Sequence, residues 1–96
     1  MNLSLKGKKG LVVGIANEHS IAFACASAFR AAGAELAVTW LNDKARPYVA
    51  PLADTLQAGI AMPMDVTREG EMEAVFDTIR ERWASLDFVL HSIANA

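Results

Sequence analysis

One run, Leu11–Ala22, constrains the fold more than any other part of the sequence, because it joins a buried strand to a glycine turn and a helix start. The apolar residues up to Val13 are typical of a parallel strand covered on both faces. Gly14 allows the backbone to turn sharply and to approach a ligand closely, and Ser20 is suited to cap a helix. Free N–H groups at a helix start favour an anion, so the run predicts a pyrophosphate site. The two further glycines of the common dinucleotide fingerprint are missing, and glycine spacing alone would be weak evidence.

Length, composition and charge limit what the chain can be. It has 96 residues, 53% of them hydrophobic, and a net charge of −2, which indicates at most one small domain. Interspersed charges leave no basic stripe for nucleic acid and no polybasic face for a membrane, so a small ligand is the favoured partner. No targeting or spanning segment and no metal-ligand spacing is recognisable. The single cysteine, Cys25, is interpreted as a small buried hydrophobe and suits a reducing, cytoplasmic location.

Apolar runs alternate with helical patterns along the chain. The predicted strands are Lys9–Gly14, Glu35–Leu41, Gly59–Asp65 and Leu86–Ile93. The first two predicted helices are Ser20–Ala32, closed by a left-handed Gly33, and Lys44–Ala58, with Pro47 in its first turn. The third helix is predicted to be capped by Thr67 and to turn a stripe towards the core: Met72, Val75, Phe76, Ile79 and Trp83.

This βαβαβαβ order predicts an α/β fold, a Rossmann-like doubly wound parallel sheet with strand order 3-2-1-4. Ligands bind such sheets where the order reverses, so we expect Gly14 and Ser92 to meet at that crevice. The fourth strand is expected to be an apolar edge with no helix after it. Residues 1–96 are therefore predicted to be the amino-terminal part of a dinucleotide-binding domain, truncated after its fourth strand.

Five short motifs, specific only in combination, carry a family resemblance over essentially the whole chain. They are Gly14 followed after five residues by Ser20-Ile21-Ala22, Gly33-Ala34-Glu35-Leu36-Ala37, Asn42-Asp43-Lys44, Asp65-Val66 and His91-Ser92-Ile93. Together they resemble the amino-terminal half of bacterial enoyl-acyl-carrier-protein reductases, a divergent branch of the short-chain dehydrogenases. Two other interpretations stay open: another short-chain dehydrogenase, such as a 3-oxoacyl reductase, or a nucleotide-binding module without chemistry.

The resemblance implies a set of cofactor-binding positions, with NADH as the cofactor. It assigns the pyrophosphate and nearby ribose to Gly14, Ile15, Ser20 and Ile21, the adenine to Asp65 and Val66, the nicotinamide side to Ser92, Ile93 and Ala94, and the acyl substrate to Ala96. Two of these positions have a plainer interpretation. Ser20 can simply cap a helix, and Asp65 can form an Asx turn leading to the Thr67 cap.

Leu41 bears on the choice of nucleotide. The end of the second strand usually carries an acid for a ribose 2′-hydroxyl or a base for a 2′-phosphate. Leu41 stands where some relatives have a polar residue, so a direct hydrogen bond to the ribose is lost. Lys44 and Arg46 leave a phosphate contact open, although a solvated helix start is the simpler interpretation. NADH is favoured over NADPH.

The implied activity is reduction of a trans-2-enoyl thioester carried on acyl carrier protein, by a homo-oligomer that is commonly a tetramer. The tyrosine and lysine that complete this chemistry in the family stand six residues apart, well downstream. Tyr48 lacks that lysine spacing, and a strand histidine such as His91 is more often structural. His19 is interpreted as an exposed loop histidine. No catalytic residue is therefore assigned in this chain, which is expected to be inactive alone.

Overall fold

A computed structural model describes residues 4–92. Their helices and strands are β1 (Lys9–Val13), α1 (Ile21–Ala31), β2 (Glu35–Trp40), α2 (Arg46–Thr55), β3 (Ile60–Pro63), α3 (Glu71–Trp83) and β4 (Phe88–His91). The strands form one sheet in the order β3-β2-β1-β4, and all three pairings are parallel. The predicted α/β fold and strand order are therefore confirmed.

Strand β1 lies at the centre of the hydrophobic core, because it has a helical layer on each face. Val12 packs in the cluster that α1 and α2 contribute to, whereas Leu11 and Val13 pack in the cluster that α3 contributes to. Successive side chains of a strand point to opposite faces, so an unbroken apolar run is what a doubly covered strand requires. Two thin apolar layers thus hold the sheet from both sides.

Helix α1 lies close to the sheet and ends where the sequence predicted. Ala22 and Ala26 are fully buried, and small side chains at this four-residue spacing let the helix axis approach the strands. Gly33 has a φ of 105°, so it forms the predicted left-handed turn after the helix. Cys25, predicted to be buried, is only half-buried, because it lies to one side of the alanines that contact the sheet.

The start of α3 differs from the prediction. Gly70, not Thr67, stands at the N-cap position, and the Thr67 side chain instead donates to Asp65. The expectation that Thr67 caps this helix is therefore wrong. A threonine two residues after an aspartate satisfies the aspartate's Asx turn, and the helix begins only at Glu71, after a further turn.

The apolar stripe of α3 is only partly core. Val75 and Ile79 are buried, but Met72 is 40% and Phe76 38% exposed. Phe76 lies about 100° round the helix from Val75, so it is turned away from the line of contact with the sheet. The prediction that the whole stripe is core is corrected accordingly.

Strand β4 is shorter than predicted, because its partner ends early. It pairs with β1 from Gly10 opposite Phe88 to Val13 opposite His91, and β1 stops where Gly14 turns the chain away. Ile93, the predicted strand end, lies outside the described residues. Strand β3 is also shorter than predicted, since it pairs with β2 only from Ile60, opposite Ala37, to Pro63, opposite Trp40. Within residues 4–92, no helix is long and apolar enough to cross a bilayer.

We expect Leu36→Ala to lower the free energy of unfolding by about 3 kcal/mol, because Leu36 is fully buried against the α1 and α2 face. Leu41→Ala is the matched control, since Leu41 follows the same strand but is 57% exposed. Urea unfolding of both variants measures the difference. Equal losses would contradict the described core.

Candidate functional site

A cleft of about 350 Å³ opens at the carboxyl ends of the strands, where the strand order reverses between β1 and β4. Its lining residues come from the ends of these strands and the loops that follow: Val13, Gly14, Ile15, Ala16, Thr39, Leu41, Ala45, Met64, Val66, His91 and Ser92. Most are apolar, and neither Lys, Arg, Asp nor Glu is among them. Backbone N–H groups, rather than a permanently charged cation, are thus the favoured partners for an anion here, and an aromatic ring would meet largely apolar walls.

Gly14 and Ser92 meet at this cleft, as predicted. The Ser92 N–H donates to the Val13 carbonyl oxygen at 2.9 Å, which joins the end of β4 to the end of β1. Gly14 has a φ of 106°, and a Cβ atom there would lie 1.7 Å from the Ser92 carbonyl oxygen. Only glycine fits this position, so the chain leaves β1 without a side chain and exposes its backbone to the cleft.

The loop from Gly14 to the start of α1 is tied by local hydrogen bonds. The His19 N–H donates to Asn17 Oδ1 at 2.8 Å, and Ser20 Oγ donates to the Asn17 carbonyl oxygen at 2.8 Å. Ser20 Oγ also accepts from the Phe23 N–H at 3.3 Å, so Ser20 caps the helix. Within the described part of the chain, the Ile21 and Ala22 N–H groups of the first turn have no backbone partner, whereas the Ala24 N–H donates to the Ser20 carbonyl oxygen, so two donors are left for an anion.

Ile15 and Ile21 occupy contrasting positions near this loop. Ile15 is 2% exposed and both lines the cleft and packs in the α1 and α2 cluster, whereas Ile21 is 75% exposed at the helix start. Neither Ser20 nor Ile21 lines the cleft itself. A cofactor role for either has to come from the helix end rather than from the cleft walls.

The segment after β3 forms the Asx turn that the sequence left open. Asp65 Oδ1 accepts from the Thr67 N–H at 2.9 Å and from Thr67 Oγ1 at 2.6 Å. These two bonds, the hydroxyl one first, hold the pKa of Asp65 below its ordinary value, and the positive charge of Arg68 adds to the effect. The turn presents Val66 to the cleft with its side chain 52% exposed.

A second cleft of about 360 Å³ adjoins the first, and Leu41 lines both. Polar side chains dominate its walls: Asn42, Asp43, Lys44, Arg68 and Glu71, together with Pro63 and Leu41. Lys44, for which the sequence leaves a phosphate contact open beside the simpler interpretation of a solvated helix start, lines this cleft. Arg46 does not, since its guanidinium lies 5.8 Å from the centre of the Trp40 ring.

Sequence reasoning missed several lining residues of the first cleft. Thr39, 2% exposed, and Met64, 6% exposed, belong to the ends of β2 and β3, and Ala45 lies just before α2. Position was the available signal, because residues at carboxyl strand ends of a parallel sheet converge on the reversal point. Their apolar or small side chains carried no chemical signal.

The remaining residues that the sequence singled out are placed in three ways: in the wall of the first cleft, away from both clefts, or outside the described residues. His91 is exposed and lines the first cleft, and His19 is exposed with its Nε2 atom 3.5 Å from Glu18 Oε1. Tyr48 is 67% exposed on α2 and lines neither cleft. Ile93, Ala94 and Ala96 lie outside the described residues.

Comparison with known proteins identifies one family. Residues 14–96 match a family model described as Enoyl-(Acyl carrier protein) reductase. The chain is 45% identical over 97% of its length to Enoyl-[acyl-carrier-protein] reductase [NADH] 2 of Rhizobium meliloti. It is 39% identical over 98% of its length to Enoyl-[acyl-carrier-protein] reductase [NADH] FabI of a Nostoc species. It spans 35% and 38% of those two proteins, little more than a third of their length.

Solved structures agree with these matches. The Anaplasma phagocytophilum reductase, crystallised in complex with NAD, has a TM-score of 0.87 and 38% identity; the alignment covers the whole chain and 38% of that protein. FabI of Candidatus Liberibacter asiaticus has a TM-score of 0.90 and 42% identity, over the whole chain and 37% of that protein.

We expect Gly14→Ala to destabilise the fold by about 2 kcal/mol or more, since it adds both a strained φ and a collision with the Ser92 carbonyl. Gly7→Ala is the control, because Gly7 also has a positive φ, 81°, but open space around its Cα. Thermal or urea unfolding measures both. A Gly14 variant no worse than the Gly7 variant would contradict the close approach at the cleft.

We expect Thr67→Val to raise the pKa of Asp65 towards its ordinary value, as followed by NMR titration of the carboxyl carbon. A lowered folded-state pKa stabilises the protein at pH above the ordinary aspartate value. That stabilisation is lost as the pH falls through the folded-state pKa, so the stability difference between variant and parent shrinks there. Thr78→Val serves as control, because the Thr78 hydroxyl donates to the Ala74 carbonyl and to no carboxylate. An unmoved Asp65 titration in Thr67→Val would refute the assignment.

Proposed function

Because the chain belongs to the enoyl-(acyl carrier protein) reductase family, we propose that the full-length protein reduces the 2,3 double bond of trans-2-enoyl thioesters carried on acyl carrier protein, with NADH as donor. The observation that carries the proposal is the cleft between the ends of β1 and β4. The backbone of Gly14, which has no side chain, forms part of its wall. This is the place where doubly wound sheets bind dinucleotides. Gly14 has no side chain and lines the cleft, so its backbone is open to close approach by such a ligand and the residues present fit it.

The chain's own residues divide the binding task along the cleft. Backbone N–H groups from Gly14 and Ile15 to the start of α1, with Ser20 and Ile21, hold the diphosphate in this proposal. A largely apolar cleft without Lys or Arg favours this arrangement, since no permanently charged cation is available in the walls. The second Asp65 carboxylate oxygen and the Val66 N–H are matched to the amine and ring nitrogen of an adenine edge.

The nicotinamide side of the site is assigned to Ser92, Ile93 and Ala94, and the acyl chain to Ala96. Ser92 supports this proposal, because its hydrogen bond to Val13 fixes the end of β4 beside Gly14. Bound NADH supplies the hydride for the β-carbon of the enoyl thioester. Negative charge then develops on the thioester oxygen, which requires a prearranged hydrogen-bond donor.

That donor is expected from the part of the protein beyond these 96 residues. Tyr48, exposed on α2, lines neither cleft and is not assigned the role. We place residues 1–96 as the amino-terminal part of the dinucleotide-binding domain in a cytoplasmic homo-oligomer. The family membership and the span of the chain, little more than a third of its relatives' length, support the placement as one part of a longer protein.

The proposal is tested by the oxidation of NADH by the full-length protein. We expect turnover with a crotonyl thioester and none with an acetoacetyl thioester, which is the substrate type of a 3-oxoacyl reductase. The isolated 96-residue chain is expected to show no turnover and weak or no cofactor binding, since it lacks the donor and leaves β4 as an edge. Turnover only with the acetoacetyl thioester would overturn the proposed enoyl reductase activity. Turnover by the isolated chain would overturn the expectation that residues 1–96 are inactive alone.

A further inference from the structure

Glu71 connects the strand end that presents Asp65 and Val66 to the start of α3. Its Oε1 accepts from the Asp65 N–H at 3.0 Å, and its Oε2 lies 3.4 Å from Arg68 Nε. The Glu71 side chain is 27% exposed, against 71% for Arg68. Gly70 gives the helix no side-chain cap, so the Glu71 carboxylate lies in the favourable field of the helix start.

The carboxylate also sets the charge of the second cleft. Asp43 and Glu71 face Lys44 and Arg68 in its walls, so the formal charges cancel. Glu71 neutralises the charge of Arg68 directly, because the two side chains form an ion pair. Without the Glu71 charge, this cleft would carry a positive charge and an unpaired guanidinium.

The second cleft adjoins the strand end at which dinucleotide folds read the 2′ position of a nucleotide. Leu41, at the end of β2, lines both clefts, and the end of this strand is where dinucleotide folds distinguish a 2′-hydroxyl from a 2′-phosphate. A ribose seated in the first cleft beside Leu41 would therefore lie next to the second cleft. Leu41 itself carries no charge with which to make the distinction.

We propose that Glu71 is a specificity-determining residue for the nucleotide: its carboxylate neutralises Arg68 and keeps the second cleft unattractive to a 2′-phosphate. The same carboxylate positions the Asp65 backbone. This inference rests on the proposed function, because it takes the first cleft to be the dinucleotide site. An acid that disfavours NADPH thus lies on α3, in the same cleft as Asp43 from the segment after β2.

The test is calorimetric binding of NADH and NADPH to the full-length protein and its Glu71→Gln variant. Glutamine keeps an oxygen for the Asp65 N–H but removes the charge. We expect NADPH to bind about fivefold more tightly at low salt, with NADH changed by less than about twofold. The gain should shrink as ionic strength rises. Glu69→Gln is the matched control, since Glu69 is exposed, carries the same charge and lines neither cleft.

A second variant, Arg68→Gln combined with Glu71→Gln, should lose the gain in NADPH affinity, because the released guanidinium is its source. Unchanged NADPH affinity in Glu71→Gln, or an equal gain in Glu69→Gln, overturns the inference while leaving the proposed function in place. Persistence of the gain in the double variant also overturns it. Failure of the parent protein to bind either nucleotide overturns both proposals, so the two failures are distinguishable.

Discussion

The contact between the ends of β1 and β4 determines the geometry of the site. Ser92 donates to Val13 at the end of β1, and Gly14, the residue after β1, turns away with a left-handed φ directly beside the Ser92 carbonyl. The crevice exists because β1 pairs with β2 on one side and with β4 on the other, so that the chain connections leave in opposite directions. Any side chain at position 14 would separate the two strand ends.

The charge distribution complements this geometry. The first cleft has mostly apolar walls and exposes the backbone of Gly14. The charged side chains lie in the second cleft, on the other side of Leu41. An apolar environment suits the flat faces of a base or a nicotinamide, and backbone dipoles suit a diphosphate. The end of β2 lies between the two clefts, because Leu41 lines both. In this account the first cleft binds the rings, and the second discriminates at the ribose.

Sequence reasoning captured the features that depend on local pattern and topology. The apolar run of β1, the helix signal at Ser20 and the turn at Gly33 each have a local cause, and handedness rules then determine the strand order. The meeting of Gly14 and Ser92 followed from that order. The cofactor roles of the individual residues stay predictions.

Errors arose where tertiary contacts decide. Thr67 has the composition of a helix cap, but Asp65 uses its hydroxyl, and the helix start moves to Gly70. Phe76 fits the apolar stripe by spacing, yet the narrow contact of α3 with the sheet leaves it partly exposed. The sequence did not predict the second cleft. Its walls come from the segment before α2, the end of β3 and the segment that leads into α3, and these become neighbours only when the sheet forms.

A crystal structure of the full-length protein with NADH tests the central claim most directly. The account predicts density for the diphosphate against the backbone at Gly14 and the first turn of α1, with the adenine beside Val66. Density for the nucleotide elsewhere, or side chains from the rest of the protein filling the crevice between Gly14 and Ser92, would contradict it.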